Sequence, residues 1–284
     1  MIAGFRRSIS LPGLSPSASP SRCRRRRDAQ HTRSASFPCR SHPVLSLLHD
    51  EIRSLRASAD LGCYTSSASA AATVFERIDR LLASLDDLLR LSQTQDSLRR
   101  LPSMTDLLLD DFLRLADAQG SYRSAAIVLA QHAAEARAAS RRRDTTRLTS
   151  AARSLRRAEK DIAGLVSGIK DLARCRPFAA GKWEDAAEAE VAGILAEAVA
   201  AIGAAMTLVF SSVSQAAAAV AASMAKEESR RGICGLRKKT EEGEEATLEM
   251  LEERLEGMEE GCEKLFRSLI NIRVSLLNII TPSV

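Results

Sequence analysis

Ten residues near the end of the chain decide what it can fold into. Leu248, Leu251, Leu255, Met258, Cys262, Leu265, Leu269, Ile272, Leu276 and Ile279 follow one another at intervals of three and four. That spacing lines them along one seam of an α-helix, and a seam of that length needs helical partners to cover it. In its first half Glu252, Glu253, Glu256, Glu259 and Glu260 flank the seam, so only a narrow stripe is expected to be buried there. In the second half Phe266, Ile270, Val274, Leu277 and Ile280 widen the apolar surface, which predicts burial against several helices. Acid early and Arg267 and Arg273 late also suit the helix dipole.

The partners are legible upstream. Ser41-His42-Pro43 opens a first helix, because a proline at the first helical position lacks only an N–H that would have no partner. Val44, Leu47, Leu48, Ile52 and Leu55 trace its face. After a Ser/Ala-rich link over 62–72, a second face runs from Val74 through Ile78, Leu81, Leu85 and Leu88 to Leu91, fading over 92–100. Pro102 stops it, and Ser103 with Asp106 resembles a cap for a third helix with Leu108, Phe112 and Leu115, where Gly120 is an expected kink. The fourth helix is basic and amphipathic and ends before Pro177. The fifth, about 184–226, holds an uncharged run over 198–225 that is long enough to span a membrane. That run is mostly alanine with several serines and lacks basic and aromatic flanks, so a central bundle helix is the expectation. Residues 229–243 read as a loop back to the seam. With aromatics at 4% and glycine and proline scarce outside the first forty-odd residues and a few linkers, the fold class is all-α. The architecture expected is an up-and-down bundle of about six helices over 41–284, as one domain behind a tail.

Residues 1–40 contain nine Arg and one Asp, so the chain's formal charge of +5 is a property of that tail and the rest is slightly acidic. The tail is rich in Ser and Pro and lacks apolar periodicity, which predicts disorder. By charge alone the body is not a nucleic-acid-binding surface. Within the tail, Arg7-Ser8-Ile9-Ser10-Leu11-Pro12 and Arg33-Ser34-Ala35-Ser36-Phe37-Pro38 repeat one pattern, R-S-x-S-x-P. Phosphorylated at Ser10 and Ser36, these segments resemble ligands of 14-3-3 proteins, with Pro12 and Pro38 turning the chain out of the groove. Two copies could engage both grooves of a dimeric reader. Chance matches in such a composition, a nuclear import patch at Arg24 to Arg27, an organelle transit peptide and a plain solvated leader remain alternatives.

The candidate partner surface of the body is the basic stretch that Arg141, Arg142 and Arg143 open and Arg153, Arg156 and Arg157 continue. Such a helix binds anionic lipid or an acidic partner, or else faces the eleven acids of residues 241–263 within the fold. The six cysteines are scattered and read as free thiols, which places the chain in the cytoplasm, with nucleus, membrane periphery and plastid as alternatives. No phosphate loop, nucleophile elbow, paired-histidine helix or kinase signature occurs, so no catalytic residue, cofactor or metal site is assigned and a non-enzymatic protein is expected.

Several segments together resemble a known family. They are Arg40-Ser41-His42-Pro43; Leu88-Leu89-Arg90-Leu91 with Thr94-Gln95; Leu108-Leu109-Asp110 with Leu113-Arg114-Leu115 and Asp117; and Leu251-Glu252, Leu265-Phe266-Arg267-Ser268-Leu269-Ile270 and Arg273-Val274-Ser275-Leu276-Leu277-Asn278-Ile279. The chain is similar over roughly 40–281 to the plant-specific domain-of-unknown-function family 241, grouped with the BYPASS proteins. That resemblance implies a non-enzymatic protein associated with root and shoot development, with control of a mobile root-to-shoot signal as one route, and with no functional residues to carry over. The longer tail and the alanine-rich fourth and fifth helices depart from the family's pattern.

Overall fold

The computed structural model describes residues 43–60, 68–174, 186–230, 237–256 and 258–281. Among them every regular element is helical: α1 (Pro43–Asp60), α2 (Ala68–Leu89), α3 (Ser92–Arg100), α4 (Pro102–Arg142), α5 (Thr145–Ile169), α6 (Ala186–Arg230), α7 (Arg237–Leu255) and α8 (Met258–Ile280). The all-α bundle expected from periodicity is therefore present, with two of its expected helices divided. The fading end of the second is a separate short helix, α3, because after Leu91 the next apolar residue is Leu98. Leu91 turns extended there, and the Gln95 side chain closes the Leu89 carbonyl at 3.1 Å. The seam breaks between Leu255 and Met258, at the sequence position of Gly257, where a glycine weakens a helix interior.

Other local expectations are corrected by packing. Leu45, not Leu47, faces the core from α1, and Leu47 is 48% exposed. Pro102 does not end a helix but occupies the first turn of α4, whose cap residue is Leu101 with no side-chain cap bond. The tie at that corner is the buried Thr105 hydroxyl, which donates to the Leu98 carbonyl at 2.9 Å, so Ser103 and Asp106 are merely exposed residues of the first turns. Gly120 does not divide α4. A Cβ there would lie 3.5 Å from the Phe266 ring, so the glycine admits α8 closely. Part of the expected 229–243 loop is the start of α7, and part of the expected 62–72 link is the start of α2.

Side-chain contacts fix the directions of the long helices. Asp79 accepts from Ser268 at 2.6 Å, and one heptad later Asp86 accepts from Ser275 at 2.8 Å, so α2 and α8 run parallel. Pairs from Tyr122 with Met258 to Arg141 with Glu245 run in opposite senses along the two chains, so α4 is antiparallel to α7 and α8 together. Arg114 bonded to Gly168 and Asp171, with the corner at Arg143, makes α4 and α5 an antiparallel hairpin. Arg143 takes φ 56°, the left-handed conformation that ends α4, and Asp144 caps α5 by accepting from the Arg147 amide at 3.1 Å.

At the centre lies α6, packed against α1, α2, α4, α5 and α7. The window of α6 long and apolar enough to cross a membrane, within Glu188–Ala225, is 72% buried among these helices. Alanine makes this possible, since small side chains let five neighbours approach one helix. Three of its hydroxyls are satisfied within the helix, Thr207 on Gly203, Ser212 on Val209 and Ser223 on Val220. The closest approach is at Gly203, where a Cβ would stand 3.1 Å from the Ala173 nitrogen and 3.2 Å from the Leu172 carbonyl carbon. Backbone cannot swing aside as a side chain does.

Two glycine substitutions in α6 should therefore act in opposite directions. Gly203→Ala should destabilise by about 1–3 kcal/mol through overpacking. Gly193→Ala, exposed and with nothing within 4 Å of the new Cβ, should stabilise by about 0.5–1 kcal/mol through helix propensity. Urea denaturation midpoints of the two variants should fall on opposite sides of the parent.

Candidate functional site

The candidate residues Ser10, Pro12, Ser36 and Pro38 lie outside the described residues. The six arginines of the basic stretch fall on two elements, not one. Arg141 and Arg142 form the last turn of α4, where positive charge complements the helix dipole, and Arg143 is the corner. Arg153, Arg156 and Arg157 are exposed on α5. The antiparallel hairpin leaves them apart: Arg141 to Arg143 stand at the corner, and Arg153, Arg156 and Arg157 lie near the middle of α5, Arg157 about 20 Å along the helix from it.

The acids of α7 and α8 that form interhelical ion pairs with the basic helices meet α4, including Arg141 of the basic stretch, and not α5, as one reading of the sequence had it. Arg123 pairs with Glu263 and Glu259, Arg137 with Glu252, and Arg141 with Glu245 at 3.6 Å. Spacing explains the match, because Arg123, Arg137 and Arg141 share one side of α4, and the antiparallel partner offers its acids at the same heights. The same economy holds elsewhere. Lys264 bonds Asp79 at 2.8 Å, which raises its ammonium pKa, and Arg100 reaches the buried Glu188 at 3.1 Å. Arg254 donates to the Ser212 carbonyl at 3.1 Å.

The outer face of α5 is different. Arg153, Arg156, Arg157 and Lys160 are all exposed and form no ion pair among the described residues. The helix has two acids of its own: Glu159 accepts from Ser214 at 3.2 Å on the α6 side, and Asp161 is exposed. The α4–α5 register, set by Arg114 with Asp171, brings Ile127 and Val128 of α4 to the level of Arg157; Val128, two heptads after Arg114, lies on the α5 side, whereas Ile127, four residues after Arg123, lies on the flank toward α8. Those two side chains are 39% and 42% exposed. Sequence reasoning found the cations and missed this apolar pair, because Ile127 and Val128 sit in a run of apolar residues where periodicity cannot say which face is outward.

A second constellation lies in the core and was invisible to sequence. Tyr122 of α4 stacks on Phe210 of α6, ring centroids 3.9 Å apart and planes within 10°. Its hydroxyl meets the Met258 sulfur at 3.9 Å. Gln119, fully buried one turn away, donates to the Cys262 carbonyl at 3.5 Å, and its own carbonyl oxygen has no partner. Burial pushes the Cys262 thiol up to about 12, against the small opposing effect of Gln119, and holds the Tyr122 phenol well above its ordinary range. A thiol so protonated is a packing group and not a nucleophile. Among the described residues no three His, Cys, Asp or Glu side chains gather as metal ligands.

A family model described as Protein BPS1 matches residues 75–279, which is α2 from Phe75 to the last turn of α8. No curated protein and no solved structure matches the chain.

The Cys262 environment sets a pH dependence of stability. The native state keeps a proton that the unfolded chain releases above its ordinary pKa of 9.0, so this contribution is complete below pH 9 and is lost as pH rises toward 12. Cys262→Ala should remove that part of the slope. Urea midpoints at pH 8 and pH 10 should therefore converge more in the variant than in the parent.

Proposed function

Since the chain belongs to the Protein BPS1 family, a BYPASS-type plant family not known for enzymatic activity, we propose that it is a non-enzymatic regulator of root and shoot development that acts by binding other proteins. The observation that carries this reading is the face of α5. Four cations stand there without ionic partners among the described residues, in a fold that pairs Arg123, Arg137 and Arg141 across helices. Guanidinium groups bind carboxylates or phosphates in bidentate geometry, so the surface suits an acidic partner. The tail supplies a second contact, with Ser10 and Ser36 phosphorylated and bound by a 14-3-3 dimer in the cytoplasm. A second reading is a peripheral membrane adaptor with the same face on anionic lipid, favoured by the exposed Val128 at the level of the cations.

Partners captured from plant extract by the full chain, by Ser10→Ala/Ser36→Ala and by Arg153→Gln/Arg156→Gln/Arg157→Gln should differ. The tail variant should lose 14-3-3 proteins alone, and the α5 variant a separate, acidic set. Identical sets from all three would overturn the binding reading. Flotation of the full chain with phosphatidylserine vesicles, abolished by the α5 substitutions and by high salt, would establish the membrane reading in its place.

A further inference from the structure

The surface that best complements the α5 face belongs to the same chain. On the outer side of α7, Glu249, Glu253 and Glu256 are exposed and form no ion pair among the described residues, while Glu252 and Glu245 are engaged with α4. Among these free acids stands Met250, 50% exposed. The α7 face is thus an acidic stripe with an apolar flank. The α4–α5 face is its counterpart, cations with Val128 at the level of Arg157. Residues 147–160 and 246–256 run about 20 Å and about 15 Å along their helices at 1.5 Å per residue, so the stripes match in length.

A single copy cannot bring the two together. Both α5 and α7 pack on α4 and on α6, and they are not packed on each other, so the α4–α6 pair stands between them. We propose that the basic α4–α5 face of one copy docks the acidic α7 face of a second copy. The contact rests on the reading of α5 as a docking surface and names its occupant. It joins two different patches, so each copy keeps one free face of each sign and the association is head-to-tail. Cations and carboxylates orient the encounter, and Met250 against Val128 supplies the apolar contact that charge alone lacks. A lipid surface or a nucleic acid would engage the basic face and leave α7 without a role.

The test uses the full chain and two variants, Arg153→Gln/Arg157→Gln and Glu249→Gln/Glu253→Gln, in sedimentation velocity at about 50 mM and 500 mM salt, over which screening shortens from about 14 Å to about 4 Å. All four positions are exposed, and circular dichroism verifies that both variants keep the helical fold. The parent should associate in a concentration-dependent manner at low salt and dissociate at high salt. Each variant alone should remain monomeric at parent concentrations. Mixed one to one, the variants should form heterodimers and nothing larger, because one good basic face meets one good acidic face and the remaining faces are blunted. A parent that is monomeric at low salt, a mixture that stays monomeric, or a Glu249→Gln/Glu253→Gln variant that associates like the parent would each overturn the proposal. If the parent is monomeric but Arg153→Gln/Arg157→Gln still loses acidic proteins from plant extract, the docking reading stands and the second copy is not its occupant.

Discussion

The contact on which the rest of this structure depends is the burial of the Leu248-to-Ile279 seam against α4. Leu248, Leu251, Met258, Cys262, Leu265, Leu269, Ile272, Leu276 and Ile279 are all buried, and Leu255 packs at the core's edge. Because the seam keeps its three-and-four spacing across the break at 257, α7 and α8 present one continuous stripe despite being two helices. The two helices keep one register. Along α4, α7 meets Arg137 and Arg141 while α8 meets Tyr122 and Arg123. Residues 102–142 form one unbroken helix, against which α5 folds back.

Register along that contact is set by polar groups more than by the apolar seam. A stripe of leucines tolerates a shift of one heptad with little loss, since every seven residues it presents nearly the same surface. The buried Gln119 on the Cys262 carbonyl, the Tyr122 hydroxyl at the Met258 sulfur, and the arginine–glutamate pairs each have one position that satisfies them. Individually the exposed pairs stabilise little; Arg141 and Glu245 are both more than half exposed and contribute near zero. Their effect is on the alternatives, because a slipped register leaves a buried amide unbonded and like charges opposed. The parallel α2–α8 contact uses the same device, with Asp79 and Asp86 reading Ser268 and Ser275 one heptad apart.

How much of this was legible in the sequence follows from which features are periodic. The seam, α1 from Pro43, the α5 amphipathic face and the buried character of α6 all were. Leu45 and Leu47 show a signal overlooked: Leu45 stands three residues before Leu48 and seven before Ile52, so spacing already favours it over Leu47, which lies about 100° away from Leu48. The start of α7 was illegible for another reason. Residues 237–247 are polar on every side, so they carry no apolar row, yet Lys and Glu are good helix formers and continue the helix outward from Leu248. The pairing of acid with α4 instead of α5 could not be read from either stretch alone, because it depends on which helix lies beside which. For the candidate site the cations of α5 were legible as composition, and the tail serines as a motif. Ile127, Val128 and Met250 became surface features only once their neighbours were placed.

The division of charge within the fold also bears on what kind of protein this is. A chain whose basic and acidic residues simply solvated its surface would scatter them, with pairs forming wherever chance allowed. Here Arg123, Arg137 and Arg141 of α4 are taken by α7 and α8, Arg114 by Asp171, and the buried Glu188 of α6 by Arg100 of α3, while Arg153, Arg156, Arg157 and Lys160 of α5 and Glu249, Glu253 and Glu256 of α7 form no ion pair among the described residues. These two sets have opposite signs, and the α4–α6 pair separates them. Under the proposed binding role, these two faces are where recognition would lie. The alanine-rich α6 lets five helices close around one axis, and so sets which faces of the outer helices remain uncovered.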